Sequence, residues 1–142
     1  MHGLGADGSD FEPLVDELDL SGLGDLRFVF PNAPHQPVTI NGGYVMPAWF
    51  DIHPPPPGDV GGPRLEDEAG LRRSQQRIEA VLAREKARGM AAERIVLAGF
   101  SQGCAMALLT GLRHPQRLAG IMGLSGYLPL AATTAAEAHP AN

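Results

Sequence analysis

The stretch RIVLAGFSQGCAMALL, Arg94 to Leu109, decides the fold. Its opening RIVLAG is an apolar run of strand length, and the residues from Gln102 to Leu112 read as a helix. Between them stands Gly99-Phe100-Ser101-Gln102-Gly103, a G-x-S-x-G motif in the strand-to-helix context that marks a nucleophile elbow. Small residues at 99 and 103 let the strand turn abruptly, with Ser101 in a strained conformation that projects its hydroxyl out of the sheet edge. The helix start behind it supplies N–H groups and a positive dipole end, which favour the negative oxygen that develops when an acyl carbonyl is attacked. The alternative at this point is a glycine-rich turn with an incidental serine.

Working outward, LEDEAGLRRSQQRIEAVLAREKARG predicts the clearest helix, with Glu66, Asp67 and Glu68 near its positive end and Gly89 placed to end it. Leu71, Ile78 and Leu82 fall on one face of it. LAGIMGLSG, Leu118 to Gly126, predicts a strand, and DLRFVFP, closed by Pro31, predicts a short buried one. Ser9 or Asp10 is placed to cap a short helix through Phe11, Leu14, Val15 and Leu18, after the loop MHGLGADGSD. Residues 32–63 show little periodicity: Pro54 to Pro57 favour polyproline, and Gly42, Gly43, Gly58, Gly61 and Gly62 punctuate turns. Strands alternating with helices predict an α/β fold, a mostly parallel sheet with helices on both faces, in one domain spanning residues 1–142.

The composition narrows the function. With a formal net charge of −5 and no Lys/Arg cluster long enough to track a phosphate backbone, nucleic acid is excluded as an expected partner. The one cysteine, Cys104, asks for no oxidising compartment. No stretch approaches the roughly 20 apolar residues of a membrane span, and no leader pattern opens the chain, so a cytoplasmic location is expected.

Five segments, HGLGADGSDF, FPNAPHQPVTINGGYVMPAWFDI, EDEAGL, RIVLAGFSQGCAMALL and GLSGYLPL, appear in the order and at about the spacing seen in the phospholipase/carboxylesterase family of α/β-hydrolases, which includes the acyl-protein thioesterases. The chain resembles that family over nearly its whole length. The resemblance implies that Ser101 is the nucleophile and that the backbone N–H groups of Leu4 and Gln102 form the oxyanion hole, with His2 and Gly3 shaping that loop. Trp49, in Trp49-Phe50-Asp51, resembles the segment lining the acyl pocket; the competing reading is a buried aromatic anchoring a long loop. The implied substrate is a small-molecule or lipid ester or thioester, with no metal and no organic cofactor. Cys104 departs from the family's usual glycine and is expected to pack as a small apolar residue rather than react. Ser125, in GLSGY, is expected to be a loop serine, because no helix pattern starts there. Asp7 and Asp51 lie on loops whose family counterparts do not carry the catalytic acid.

A serine needs a histidine to take its proton and a carboxylate to orient that histidine, in the chain order Ser, acid, His for this fold. After Ser101 only Glu137, His114 and His139 are available. His114 ends the helix leaving the elbow, about 20 Å away at 1.5 Å per residue, and His139 stands two residues from Glu137, whereas the family places acid and base on separate loops. Upstream, His35 and His53 are expected at the pocket rim. The expectation is therefore a fragment of a longer gene, lacking the strand ahead of His2 and the last strands, and inactive alone. A genuine minimal protein would need rearrangement or a homodimer to pair its open sheet edges. The rival reading is a non-catalytic, hydrolase-like binding module.

Overall fold

The computed structural model describes residues 1–58 and 65–142, so the turns expected at Gly61 and Gly62 lie outside it. In chain order the elements are α1 (Leu14–Glu17), β1 (His35–Val38), β2 (Tyr44–Pro47), α2 (Glu68–Ala87), β3 (Val96–Phe100), α3 (Gln102–Arg113), β4 (Gly120–Leu124) and α4 (Ala131–Glu137). The centre is the β3-α3-β4 unit. The two strands pair parallel in register, Val96 opposite Gly120 and Phe100 opposite Leu124, as a helical crossover requires. Alternation along β3 sends Leu97 and Gly99 inward and leaves Val96, Ala98 and Phe100 exposed.

Helix α3 lies on the inward face: Gly111 sits against the side chains of Ile121 and Leu97, and Gly123 against Cys104 Sγ. Helix α2 covers α3 with its Leu71, Ile78 and Leu82 stripe, which joins Met106, Leu109 and Trp49 in one core. Burying each such aliphatic side chain contributes about 1.5–3 kcal/mol. The ends of α2 are set chemically. Asp67 accepts from Gly70 N–H at 2.9 Å, and at the far end Gly89 and Met90 N–H return to Lys86 O and Glu85 O, a glycine-terminated stop made possible by φ +94° at Gly89.

On the opposite face of the sheet the helical cover is thin. A short turn, Gly8–Phe11, brings Phe11 to 6.3 Å from the Phe100 ring, while Val96, Met122 and Leu124 stay exposed. That turn is capped by Asp7, not by Ser9 or Asp10. Helix α1 is a single turn with Leu14 and Leu18 outward, so the expected amphipathic helix is cut short, with Pro13 as its N-cap. DLRFVFP is not a strand. A strand needs neighbours for its N–H and C=O groups, and among the described residues the backbone of 25–30 meets none; Phe28 and Phe30 instead stack on each other. The edge of β3 is taken by Met1, whose N and O bond Ala98 O at 2.8 Å and Phe100 N at 3.1 Å.

The region read as aperiodic holds the antiparallel hairpin β1-β2, His35 opposite Pro47. Its signal was Asn41-Gly42-Gly43, where both glycines take left-handed φ; Pro37 inside β1 hides the alternation. Helix α4 was also unexpected. It is tied down by Arg113, which donates to Leu130 O, Thr133 Oγ1, Thr134 Oγ1 and Glu137, while Arg72 of α2 donates to the other Glu137 oxygen at 2.7 Å.

Arg72 first, then Arg113, hold the Glu137 carboxyl down from 4.5 to about 2. A carboxyl depressed on folding contributes stability above its unfolded value and loses it as the pH falls toward its folded one. Urea midpoints should therefore fall between pH 5 and about pH 2, and Glu137→Gln should flatten part of that slope. The surface position makes the difference shrink in 1 M salt.

Candidate active site

Ser101 has φ 55° and ψ −118°, a left-handed conformation costing a non-glycine residue about 1–3 kcal/mol. The flanking glycines make it attainable. A Cβ on Gly99 would stand 2.0 Å from Gly103 O, and one on Gly103 would stand 2.2 Å from Met1 O. Ser101 N–H donates to Leu124 O at 2.9 Å, anchoring the elbow to the end of β4, and Ser101 O accepts from Ala105 N in the first turn of α3. The hydroxyl does not cap the helix, and the residue is half-buried. Ser101→Gly should be more stable than Ser101→Ala by about 1 kcal/mol in chemical unfolding, because only glycine releases the strain; equal stabilities would argue against strain.

The loop 2–6 is packed directly over the elbow, since a Cβ on Gly3 would lie 3.3 Å from Ser101 Cβ. His2 holds that loop. Ala33 N–H donates to its Nε2 at 2.9 Å, which puts the ring proton on Nδ1, 2.8 Å from Gly3 O. Both ring nitrogens are thus occupied by backbone, and His2 cannot serve as a base. Trp49, 1% exposed, donates from Nε1 to His2 O at 2.9 Å, with the two rings 5.2 Å apart. Gln102 fixes the other side of Trp49: its Oε1 accepts from Trp49 N and its Nε2 donates to Phe50 O, both at 2.9 Å. The structure therefore brings His2, Gly3, Trp49, Ser101 and Gln102 into one bonded cluster. Leu4 N–H, and Gln102 N–H at the first position of α3, meet no acceptor among the described residues.

Sequence reading missed three supports of this cluster. Ser74 of α2 donates its hydroxyl to Trp49 O, Asp67 accepts from Asp51 N at 2.9 Å, and Asn32 accepts from Gly8 N at 2.6 Å. Only Asp67 had a sequence signal, as one of three acids near the positive end of a helix, and that signal announced no bond across to residue 51.

No described histidine reaches Ser101. His114 Nδ1 pairs with Glu79 Oε2 at 2.9 Å, and His139 N bonds Leu112 O, both at the far end of α3. His35 is exposed on β1. His53 Nε2 is 3.8 Å from Asp51, whose carboxylate is already bonded by Thr39 N, Thr39 Oγ1 and Ile52 N. Burial pushes the Asp51 carboxyl up, but the bonds from Thr39 and Ile52 outweigh it and hold it below the ordinary range. Asp7 is likewise held low by the Ser9 hydroxyl and amide. Ser125 has φ 51°, but the next helix starts only at Ala131. Cys104 is buried against Gly123 and Gly126. Among the described residues no group of three or more His, Cys, Asp or Glu side chains converges as metal ligands would, and no helix is long and apolar enough to cross a membrane.

A profile of the phospholipase/carboxylesterase family matches residues 1–142. Acyl-protein thioesterase 1 of Schizosaccharomyces pombe is 43% identical over 131 residues, covering 92% of this chain and 55% of that protein. A rice protein named "Probable inactive carboxylesterase" is 39% identical, over 91% of this chain and 52% of its own. Among solved structures, Arabidopsis thaliana SOBER1 superposes with a TM-score of 0.86 at 35% identity, covering 98% of this chain and 65% of that one. The chain spans about half the length of the curated relatives it matches. A profile match end to end, together with the shared α/β architecture, establishes that the chain belongs to the phospholipase/carboxylesterase family of α/β-hydrolases.

Proposed function

We propose that this chain carries the nucleophile and oxyanion half of a cytoplasmic serine hydrolase that cleaves carboxylic esters or thioesters of small molecules or lipids. The observation that supports it above all others is the left-handed Ser101 between two glycines that tolerate no Cβ. In this reading Ser101 Oγ adds to the acyl carbonyl while the N–H groups of Leu4 and Gln102 take the oxyanion. The tetrahedral intermediate collapses as the alcohol or thiol leaves with the proton given up by Ser101, and water then hydrolyses the acyl-serine, releasing the carboxylic acid and restoring the Ser101 hydroxyl. His2, Gly3 and Trp49 shape the substrate end by fixing the loop that carries Leu4.

Among the described residues no imidazole is placed to accept the Ser101 proton, so the chain alone is expected to turn over poorly. A fluorophosphonate probe tests this: slow or absent labelling of Ser101 is expected. Labelling at the rate of ordinary serine esterases would show that a competent base is present and overturn that part of the reading. The second reading, a binding module without catalysis, is favoured by the same unserved hydroxyl. It predicts that supplying the remaining half of a family member in trans restores no labelling, whereas the hydrolase reading predicts that it does.

A further inference from the structure

Beyond the elbow, the outer side of α2 holds two arginines that have no carboxylate partner among the described residues. Arg73 and Arg77 are one helical turn apart, and among the described residues neither meets a carboxylate within 4 Å. The sequence explains why. Their neighbours three and four positions away are Ala69, Gly70, Gln76, Ser74, Ala80, Val81 and each other, so no acid is placed to pair with them, and two like charges at this spacing repel. Arg72 and Arg88 of the same region do have such acids, Glu68 and Glu85, and bond them.

Both arginines line a cleft of about 180 Å³. Gln36 of β1, with Trp49 and Ser74, lines it too. Gln36 donates its amide to Ala48 O at 2.6 Å, which leaves its carbonyl oxygen to orient water or a protonated oxyanion. Among the described residues Asp67 is an acid that contacts Gly70, another lining residue. Its oxygens are already taken by the amides of Gly70 and Asp51, so it lowers the positive potential without closing the cleft.

We infer that the Arg73-Arg77 cleft is a binding site for a phosphate group, separate from the Ser101 elbow. Paired guanidinium forks match the tetrahedral oxyanion of a phosphate monoester better than the point charge of a lysine would. Trp49, the only tryptophan, lines the cleft and reports on it by fluorescence.

The test titrates the 142-residue chain at constant ionic strength with inorganic phosphate, and separately with phosphatidylcholine vesicles with and without phosphatidic acid. A saturable Trp49 response to phosphate, or capture by the phosphatidic acid vesicles alone, is expected. Response to inorganic phosphate assigns a soluble phosphate, and vesicle capture without it assigns a lipid headgroup. Either response should weaken about tenfold or more in Arg73→Gln/Arg77→Gln and persist in Arg84→Gln/Lys86→Gln, which removes an equal charge elsewhere on α2. Both should also persist in Ser101→Ala, which separates this site from the elbow. No saturable response to either probe, or equal weakening in Arg84→Gln/Lys86→Gln, overturns the inference.

Discussion

Gly99→Ala is expected to lose more than about 3 kcal/mol of unfolding free energy, or to leave the chain unable to fold. The added methyl would lie 2.0 Å from Gly103 O and 2.2 Å from Gly103 C. Those atoms are backbone in the first turn of α3, so no rotamer change relieves the clash. To make room, the helix would have to withdraw from β3, which would pull Ser101 out of its bond to Leu124 O. Overpacking usually costs about 1–3 kcal/mol when side chains can yield; here only the backbone can. Against a typical total of about 5–15 kcal/mol, that is a large share. Gly120→Ala is the control, because a Cβ there meets nothing within 4 Å, and its urea midpoint should stay within about 0.5 kcal/mol of the parent. If the two variants unfold alike, the elbow is looser than described, and the case for a strained, purpose-built Ser101 falls with it.

The same contrast shows what could be read from the sequence. The unit from Val96 to Leu124 was legible because both of its strands are apolar runs and its turn is spelled by glycines whose reason is steric. Helix α2 was legible because its stripe, the acids near its positive end and its Gly89 stop all point to one answer. DLRFVFP misled because strand propensity says nothing about whether a neighbour is present, and among the described residues its backbone has none. The hairpin escaped because a proline sits in β1 and the strands are only four residues long. The resemblance named Ser101, Leu4 and Gln102, but it did not reveal what the Gln102 side chain does. Its side chain bridges Trp49 N and Phe50 O, a contact across 53 positions that no local pattern encodes.

That bridge gives Trp49 the second large effect. Trp49→Ala should cost about 3–5 kcal/mol, the usual range for emptying a buried aromatic site, since the ring is 1% exposed and packs in the main core. Trp49→Phe separates packing from tethering. It keeps most of the apolar volume but leaves His2 O without the indole N–H that reaches it at 2.9 Å, an unsatisfied buried acceptor worth about 1–3 kcal/mol. The consequence should be local. Gly5 N–H, bonded to Pro47 O, and Ala33 N–H, bonded to His2 Nε2, should exchange with solvent about tenfold faster or more, because opening of the loop now costs less. Amides inside α2 and α3 should follow only the smaller change in global stability. Unchanged exchange at Gly5 and Ala33 would mean that Trp49 merely fills the core. Selective loss there would mean that the indole holds the loop carrying Leu4 N–H over Ser101, so that one aromatic residue couples the hydrophobic core to the geometry of the proposed oxyanion site.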